Sequence, residues 1–314
     1  MNNTFDYIQK YPLRAKQLLG ISYDQFTDLV NRAKQCHEEE QLKLEESKIR
    51  IHRRGGGRKE ILSIPEQVCL CLFYLRQIPT FEVLEINFGI SKTEANNTFH
   101  YWRKILRNIL PASLLEQVEN KEGDLMIAQE ILTNFKLLVD SLEQHASPPN
   151  GGNPRTRLAP IDRPSDNDEQ KKFFSGKKKQ HTRKNQIVSL PEGKDIIDVK
   201  VGSPGPTADI KLFREQQTKF DKGQEFEGDK AYQGGENITT PHKRKKKQKL
   251  SEQQKEENKA LSSKRIFVEH LIRVVKIFQV ASQRFRLNAD VYNEIVLLVC
   301  GLVRLRIGTF VLPA

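Results

Sequence analysis

The sequence predicts a mixed α/β fold preceded by an all-helical N-terminal region. Between Ser63 and Leu110 the apolar residues recur at helical spacing, whereas beyond residue 134 short apolar runs typical of buried strands alternate with amphipathic helices. Such alternation indicates an α/β layer with polar residues at the strand ends. We expect a helical segment at 1–50, a second helical region at 51–120 and an α/β domain at 130–314.

Composition narrows the class of protein. The chain of 314 residues carries 52 Lys and Arg against 40 Asp and Glu, a net charge of +12. Such an excess indicates contact with nucleic acid or an anionic surface, with membranes and disordered basic tails as competing interpretations. The cysteines lie far apart or inside apolar runs, which predicts buried thiols in a reducing cytoplasm. No signal peptide is apparent, and the longest apolar run, 295–303, is too short to span a bilayer.

Two short helices joined by a glycine turn are predicted within 63–110. The stretch EVLEINF is closed by Gly89, and Ser91 caps the next helix. This pattern is typical of a helix-turn-helix whose second helix enters the major groove, although all-helical domains without a DNA role share it. The candidate DNA contacts on the polar face of the second helix are Lys92, Asn96, Asn97 and Arg103.

Two basic segments are further candidates for DNA contact. The stretch IHRRGGGRKE at 51–60, with Arg53, Arg54 and Arg58, is either a hinge or an arm that follows phosphates. The stretch 171–185 has seven Lys or Arg, no acidic residue and a Phe pair. We expect phosphate contacts there, with a solvated hairpin as the alternative. The contacts predicted in this stretch are Lys177, Lys178, Lys179 and Arg183.

Two predicted strands end on aspartate. The apolar run in NFKLLVDS delivers Asp140 at its end, and EFEGDKAY places Asp229 at the end of a later strand. The elements predicted between them are strands at 185–190 and 196–202 and a helix at 209–220. One such aspartate is most simply a strand-end cap, but two favour a shared site at the edge of the sheet.

A third carboxylate, Glu269, lies on a predicted amphipathic helix at 262–278. Arg265, Glu269, Arg273 and Lys276 share one face of this helix. Arg265, Arg273 and Lys276 are the predicted contacts of this face with the DNA backbone. A solvated ladder of ion pairs is the ordinary interpretation of that face. The side expected to be buried comprises Ile266, Phe267, Leu271, Val274, Val275 and Phe278.

Three carboxylates gathered in one site repel one another unless divalent cations neutralise them. Oxygen ligands favour Mg²⁺ or Mn²⁺ over zinc. The hypothesis is therefore a site that binds two divalent cations through Asp140, Asp229 and Glu269.

The order strand-Asp, strand-Asp, helix-Glu, with R-x(3)-E-x(6)-K at Arg265, Glu269 and Lys276, resembles the DDE transposases of bacterial insertion sequences. The similar stretches are 163–188, 205–217, 226–235 and 262–276. The resemblance implies a ribonuclease H-like catalytic domain that cleaves transposon ends and joins their 3′-hydroxyls to target DNA. It also implies double-stranded DNA with terminal inverted repeats as partner, a homodimer on DNA, and no membrane or small-molecule substrate.

Three features qualify this resemblance. Ser262 stands where the signature often has Tyr, and Asp209, where such proteins often carry another acid, is expected to cap a helix. Residues 145–159 look like an insertion after the first catalytic strand. A catalytically impaired DNA-binding relic or repressor, or a metal-dependent endonuclease without transposition, are the alternative functions.

Overall fold

The structure is a computed structural model that describes residues 3–46, 60–120, 125–145, 167–176, 179–244 and 250–309. It divides into two compact units. The N-terminal unit ends at Leu110 and takes in Phe278–Val280, and the C-terminal unit comprises Pro111–Ile277 and Ala281–Thr309. No helix in these ranges is long and apolar enough to cross a membrane.

The N-terminal unit is helical, as predicted. Its α-helices are α1 (Thr4–Lys10), α2 (Ala15–Leu18), α3 (Tyr23–Glu46), α4 (Ile64–Gln77), α5 (Phe81–Phe88) and α6 (Lys92–Ile109). Helix α4 begins at a capping box formed by Ser63 and Glu66. Gly89 ends α5 in the left-handed conformation, which glycine adopts without strain, and Ser91 caps α6. The apolar face of α6 is buried around Phe99 and Trp102.

The C-terminal unit combines helices with one mixed sheet, so the predicted α/β class is confirmed. Its helices are α7 (Leu114–Asn120), α8 (Leu125–Leu132), α9 (Asn167–Phe173), α10 (Asp209–Gln217), α11 (Glu252–Ile277) and α12 (Tyr292–Ile307). Its strands are β1 (Leu137–His145), β2 (Phe174–Ser175), β3 (Gln180–Ser189), β4 (Ile196–Pro204), β5 (Phe226–Glu227) and β6 (Ile238–Thr239).

Strand β1 lies at the centre of the sheet. It pairs antiparallel with β3, which pairs antiparallel with β4 and β2, and on its other side it pairs parallel with β5, which pairs parallel with β6. Three antiparallel strands extended by short parallel ones form the ribonuclease H-like arrangement expected from the resemblance. Leu137 and Val139 pack on one face in a cluster with Phe213, Phe226 and Tyr232.

Three predicted strand boundaries were wrong, and the first is that of β3, which begins at Gln180 and not at 185. Strand β1 continues to His145, because its antiparallel pairing with β3 continues to the pair His145 and Thr182. Asp140 therefore lies within the strand and not at its end. Strand β5 covers only Phe226–Glu227, and Asp229 lies two residues beyond it. The proposed insertion lies outside the described residues apart from its first residue, His145.

Candidate active site

Asp140 is the best-buried of the three candidate carboxylates. The side chains of a strand alternate between its two faces, so Asp140 lies opposite Val139 and the apolar cluster. Its Oδ1 accepts a hydrogen bond from the Ser141 backbone N–H at 2.8 Å. The side chain is 19% exposed, so it is largely shielded from water but still accessible.

Asp229 lies just after β5, where the backbone turns. It caps a short 3-10 helix, Lys230–Tyr232, and its Oδ1 accepts the Ala231 N–H at 2.7 Å. The Gly228 N–H donates to the Thr239 carbonyl at 3.0 Å, which ties the segment to β6. Because β1 and β5 run parallel with Leu138 opposite Glu227, Asp140 and Asp229 each lie two residues beyond this pair, on neighbouring segments of chain.

Arg265 links Glu269 of helix α11 to Asp140 of β1. The Arg265 Nη2 lies 3.7 Å from Asp140 Oδ2 and 3.6 Å from Glu269 Oε1. Arg265 is 16% exposed, whereas Glu269 is 46% exposed. Arg265 and Glu269 form one ion pair of the ladder expected on this helix face. Arg265 also forms an ion pair with Asp140 of the sheet.

The charges of the site are coupled. The pKa of Asp140 is raised to about 6, chiefly by burial; the Ser141 N–H and Arg265 oppose this rise, and repulsion from Asp229 and Glu269 adds to it. Asp229 and Glu269 therefore lie within electrostatic reach of Asp140. A carboxylate in this position gains from any cation that can approach it.

The residues fit a divalent metal by their chemistry. The donors are carboxylate oxygens, which Mg²⁺ and Mn²⁺ prefer, and the pKa of Asp140 is raised chiefly because burial disfavours its charged form. Within the described ranges no three His, Cys, Asp or Glu side chains are already grouped as a metal site. The Arg265 guanidinium lies beside Asp140 and Glu269 and supplies positive charge to both.

Five candidate DNA contacts of the C-terminal unit are held in different ways, and one of them, Arg265, lies beside Asp140 and Glu269 and is mostly shielded. Arg273 and Lys276 are exposed on α11, and Lys179 is exposed before β3. The Arg183 guanidinium instead lies 5.0 Å from the ring centroid of Phe173 and 4.8 Å from that of Tyr292. Arg183 thus already stacks on two rings of its own chain. Lys177 and Lys178 lie outside the described residues.

In the N-terminal unit, Lys92 and Asn97 are exposed and Asn96 is half-buried on α6. Lys92 forms an ion pair with Glu82 of α5. The prediction for Arg103 is corrected, because its side chain is only 5% exposed and its Nε donates to His100 Nδ1. A helical-wheel assignment placed it on the polar face, but tertiary packing covers that position. Arg53, Arg54 and Arg58 lie outside the described residues.

Sequence reasoning missed the residues that support the carboxylates. Tyr232 is 1% exposed, and its hydroxyl lies 2.9 Å from Ser141 Oγ, beside Asp140. Burial raises the pKa of Tyr232 well above its ordinary value, and Asp209, Asp140 and Asp229 raise it further. Lys264 donates to the buried Glu227 of β5 at 3.0 Å. The adjacency of Tyr232 to Asp229 in DKAY was the available signal.

Asp209 does not cap a helix as expected. It is the first residue of α10, whose N-cap is Ala208, and no side-chain cap is formed. Its Oδ1 lies 3.1 Å from Lys184 Nζ, which also donates to the Thr207 carbonyl. Asp209 is therefore part of a shielded ion pair beside the site.

Comparison with known proteins defines the class. Residues 156–304 match the family described as DDE superfamily endonuclease, and residues 61–112 match the helix-turn-helix of DDE superfamily endonuclease. The first range includes Asp229 and Glu269 and begins after Asp140. A helix-turn-helix followed by a DDE endonuclease domain is thus the class of this protein.

A curated relative identifies the family. The chain is 31% identical over 276 residues to a probable transposase for insertion sequence element IS702 of Microchaete diplosiphon, which covers 86% of each chain. The chain therefore belongs to the insertion-sequence transposases, as the resemblance implied.

Two solved structures are distantly similar. The Mos1 transposase paired-end complex with left transposon end is 10% identical, with 86% of this chain and 83% of that chain covered and a TM-score of 0.25. The pre-cleavage Mos1 transpososome is also 10% identical, with 85% and 84% covered and a TM-score of 0.18. Scores this low show no detailed superposition, and nothing about this chain follows from them.

Proposed function

We propose that this transposase cleaves phosphodiester bonds at the ends of its element and transfers the 3′-hydroxyl ends to target DNA, with Asp140, Asp229 and Glu269 holding two Mg²⁺ or Mn²⁺ ions. The observation that carries this proposal is that Arg265 of α11 lies beside both Asp140 and Glu269, while Asp229 follows β5, the strand that pairs parallel with β1. When bound, the ions would activate water or a 3′-hydroxyl and stabilise the leaving oxygen.

The residues of the chain prepare the site for this chemistry. The Ser141 N–H orients the Asp140 carboxylate, and the Ala231 N–H orients that of Asp229. Glu269 is half-exposed and can turn toward an entering cation, whereas Arg265 has to release Asp140 and Glu269. Arg265 thus serves as the positive charge of the metal-free site.

DNA binding is the second part of the proposal. Arg273 and Lys276 are exposed one and two turns beyond Glu269 on α11, where they can hold a phosphate backbone beside the carboxylates. Lys92, Asn96 and Asn97 of α6 are proposed to read the terminal inverted repeats through the major groove. Since two ends have to be joined in one event, we propose a homodimer on DNA.

The test is cleavage of a labelled duplex carrying the terminal repeat of the element, in Mg²⁺, in Mn²⁺ and in chelator. We expect metal-dependent nicking at the repeat boundary, and later joining to a target plasmid. Asp140→Asn, Asp229→Asn and Glu269→Gln should each abolish nicking and leave DNA affinity largely unchanged.

Matched controls separate the loss of a site carboxylate from the loss of a negative charge elsewhere in the unit. Asp290→Asn and Glu256→Gln are the same substitutions at exposed positions of the same unit, and Glu256 lies on the same helix as Glu269. Both should nick at the wild-type rate. Cleavage by a triad variant at that rate would remove the residue from the site, and wild-type binding without cleavage would favour an impaired, DNA-binding relic.

A further inference from the structure

The backbone does not by itself hold Asp229 beside Asp140. The parallel pairing of β1 with β5 extends only to Leu138 and Glu227. Beyond that point the segment carrying Asp229 bonds to β6 through Gly228. The separation of the Asp140 and Asp229 carboxylates therefore depends on a contact made beyond the last paired residues of β1 and β5.

Tyr232 makes such a contact. Its hydroxyl lies 2.9 Å from the Ser141 Oγ, and its backbone N–H donates to the Asp229 carbonyl at 3.2 Å. Ser141 in turn donates its backbone N–H to Asp140 Oδ1 at 2.8 Å. Three hydrogen bonds thus connect the Asp140 carboxylate to Ser141, Ser141 to Tyr232, and Tyr232 to the backbone of Asp229.

The ring of Tyr232 is fixed as well as its hydroxyl. It is buried in the apolar cluster and meets Phe213 edge to face at 5.9 Å. A Cβ added at Gly228 would lie 2.8 Å from the ring, so the glycine allows the backbone to pass close beside it. A buried hydroxyl on a fixed ring has one available position, which makes it a rigid spacer.

We propose that Tyr232, through Ser141, is a positioning residue that sets the separation of Asp140 and Asp229 for metal binding. This inference rests on the proposed function, because it requires that the two carboxylates share metal ions. It does not make Tyr232 a catalytic residue, since its hydroxyl faces the apolar side of β1.

The test uses the full-length Tyr232→Phe and Ser141→Ala proteins, which lose one hydroxyl each. Mn²⁺ affinity is measured without DNA by counting free ion with electron paramagnetic resonance. Supporting partners of metal ligands typically contribute about 10- to 100-fold in affinity, so we expect a weakening in that range. The double variant should bind no more weakly than either single variant, because both remove the same hydrogen bond.

Tyr292→Phe is the matched control. Tyr292 is also buried in the C-terminal unit, and its hydroxyl accepts a hydrogen bond from Asn185 at 2.8 Å. This variant should lose a similar amount of stability and keep the wild-type Mn²⁺ affinity. In DNA nicking, Tyr232→Phe should need more Mn²⁺ for half-maximal rate and approach the wild-type rate at saturation, a split that general loss of stability does not produce.

The outcomes distinguish this inference from the proposed function. Wild-type protein that binds Mn²⁺, with Tyr232→Phe binding it equally well, overturns the positioning role alone. Additive losses in the double variant also overturn it. Wild-type protein that binds Mn²⁺ no better than Asp140→Asn or Asp229→Asn overturns the proposed metal site, and the positioning role with it.

Discussion

Replacing Asp140 with Asn should make the metal-free protein more stable while abolishing cleavage. The carboxylate is held at a position where ionisation is unfavourable, since burial raises its pKa to about 6 and the neighbouring Asp229 and Glu269 repel it. The amide keeps the size of the side chain and an oxygen for the Ser141 N–H, but it carries no charge. Arg265 retains Glu269 as its partner.

The sign and magnitude follow from the pKa. A carboxyl whose pKa rises from 3.8 to about 6 on folding binds its proton more tightly in the folded protein. The tighter binding of this proton therefore stabilises the folded protein fully below pH 3.8, and that stabilisation is lost as the pH rises through about 6. The loss is roughly 3 kcal/mol for a shielded group, and residual exposure reduces it, so we expect Asp140→Asn to gain about 1–3 kcal/mol at pH 7.5.

Urea unfolding followed by circular dichroism, in chelator at pH 4, 6 and 7.5, measures this gain. The difference between variant and wild type should shrink toward pH 4, whereas Asp290→Asn, an exposed control, should show little change at any pH. Adding Mg²⁺ should stabilise the wild type and not Asp140→Asn, because only a binding-competent folded state gains from the ion. A variant less stable than wild type at pH 7.5, or a gain independent of pH, would refute the reasoning.

Two further predictions concern the core and the DNA surface. Arg304 donates to the buried Asp195 carboxylate through two nitrogens, at 2.7 and 2.9 Å. Arg304→Ala leaves that carboxylate without its partner, so urea unfolding should show a free energy of unfolding lower by about 3–5 kcal/mol. A loss under about 1 kcal/mol would contradict this. DNA affinity should fall linearly with salt on logarithmic axes, and Lys276→Ala should reduce that slope by about 1, so an unchanged slope would exclude a phosphate contact at Lys276.

The sequence was most informative where local chemistry decides the structure. Gly89 and Ser91 predicted the boundary between α5 and α6, since caps and left-handed turns depend on neighbouring residues alone. Asp140 and Glu269 were found because an apolar strand and an amphipathic helix have recognisable patterns. The role of each as a metal ligand stays a prediction.

What the sequence could not give depends on packing between distant segments. The end of β1 is set by its pairing with β3, which no local pattern encodes. Ile266 and Phe267 were expected to be buried, but they are 46% and 40% exposed. Periodicity fixes which residues share a face of α11. Which face is covered depends on the short 3-10 helix Pro191–Gly193 and on β1, because both pack against α11.

Arg265 shows why the site can fold before any metal is bound. Its place one turn before Glu269 would make an ordinary surface ion pair on an isolated helix, of small value for stability. Here the same guanidinium also lies beside Asp140, a carboxylate whose ionised form is opposed by burial and by two other acids. Under the proposed function, the charge that favours α11 on the sheet is the charge that a divalent ion would replace. Folding and metal binding therefore draw on the same electrostatic attraction, and removing Arg265 should affect both.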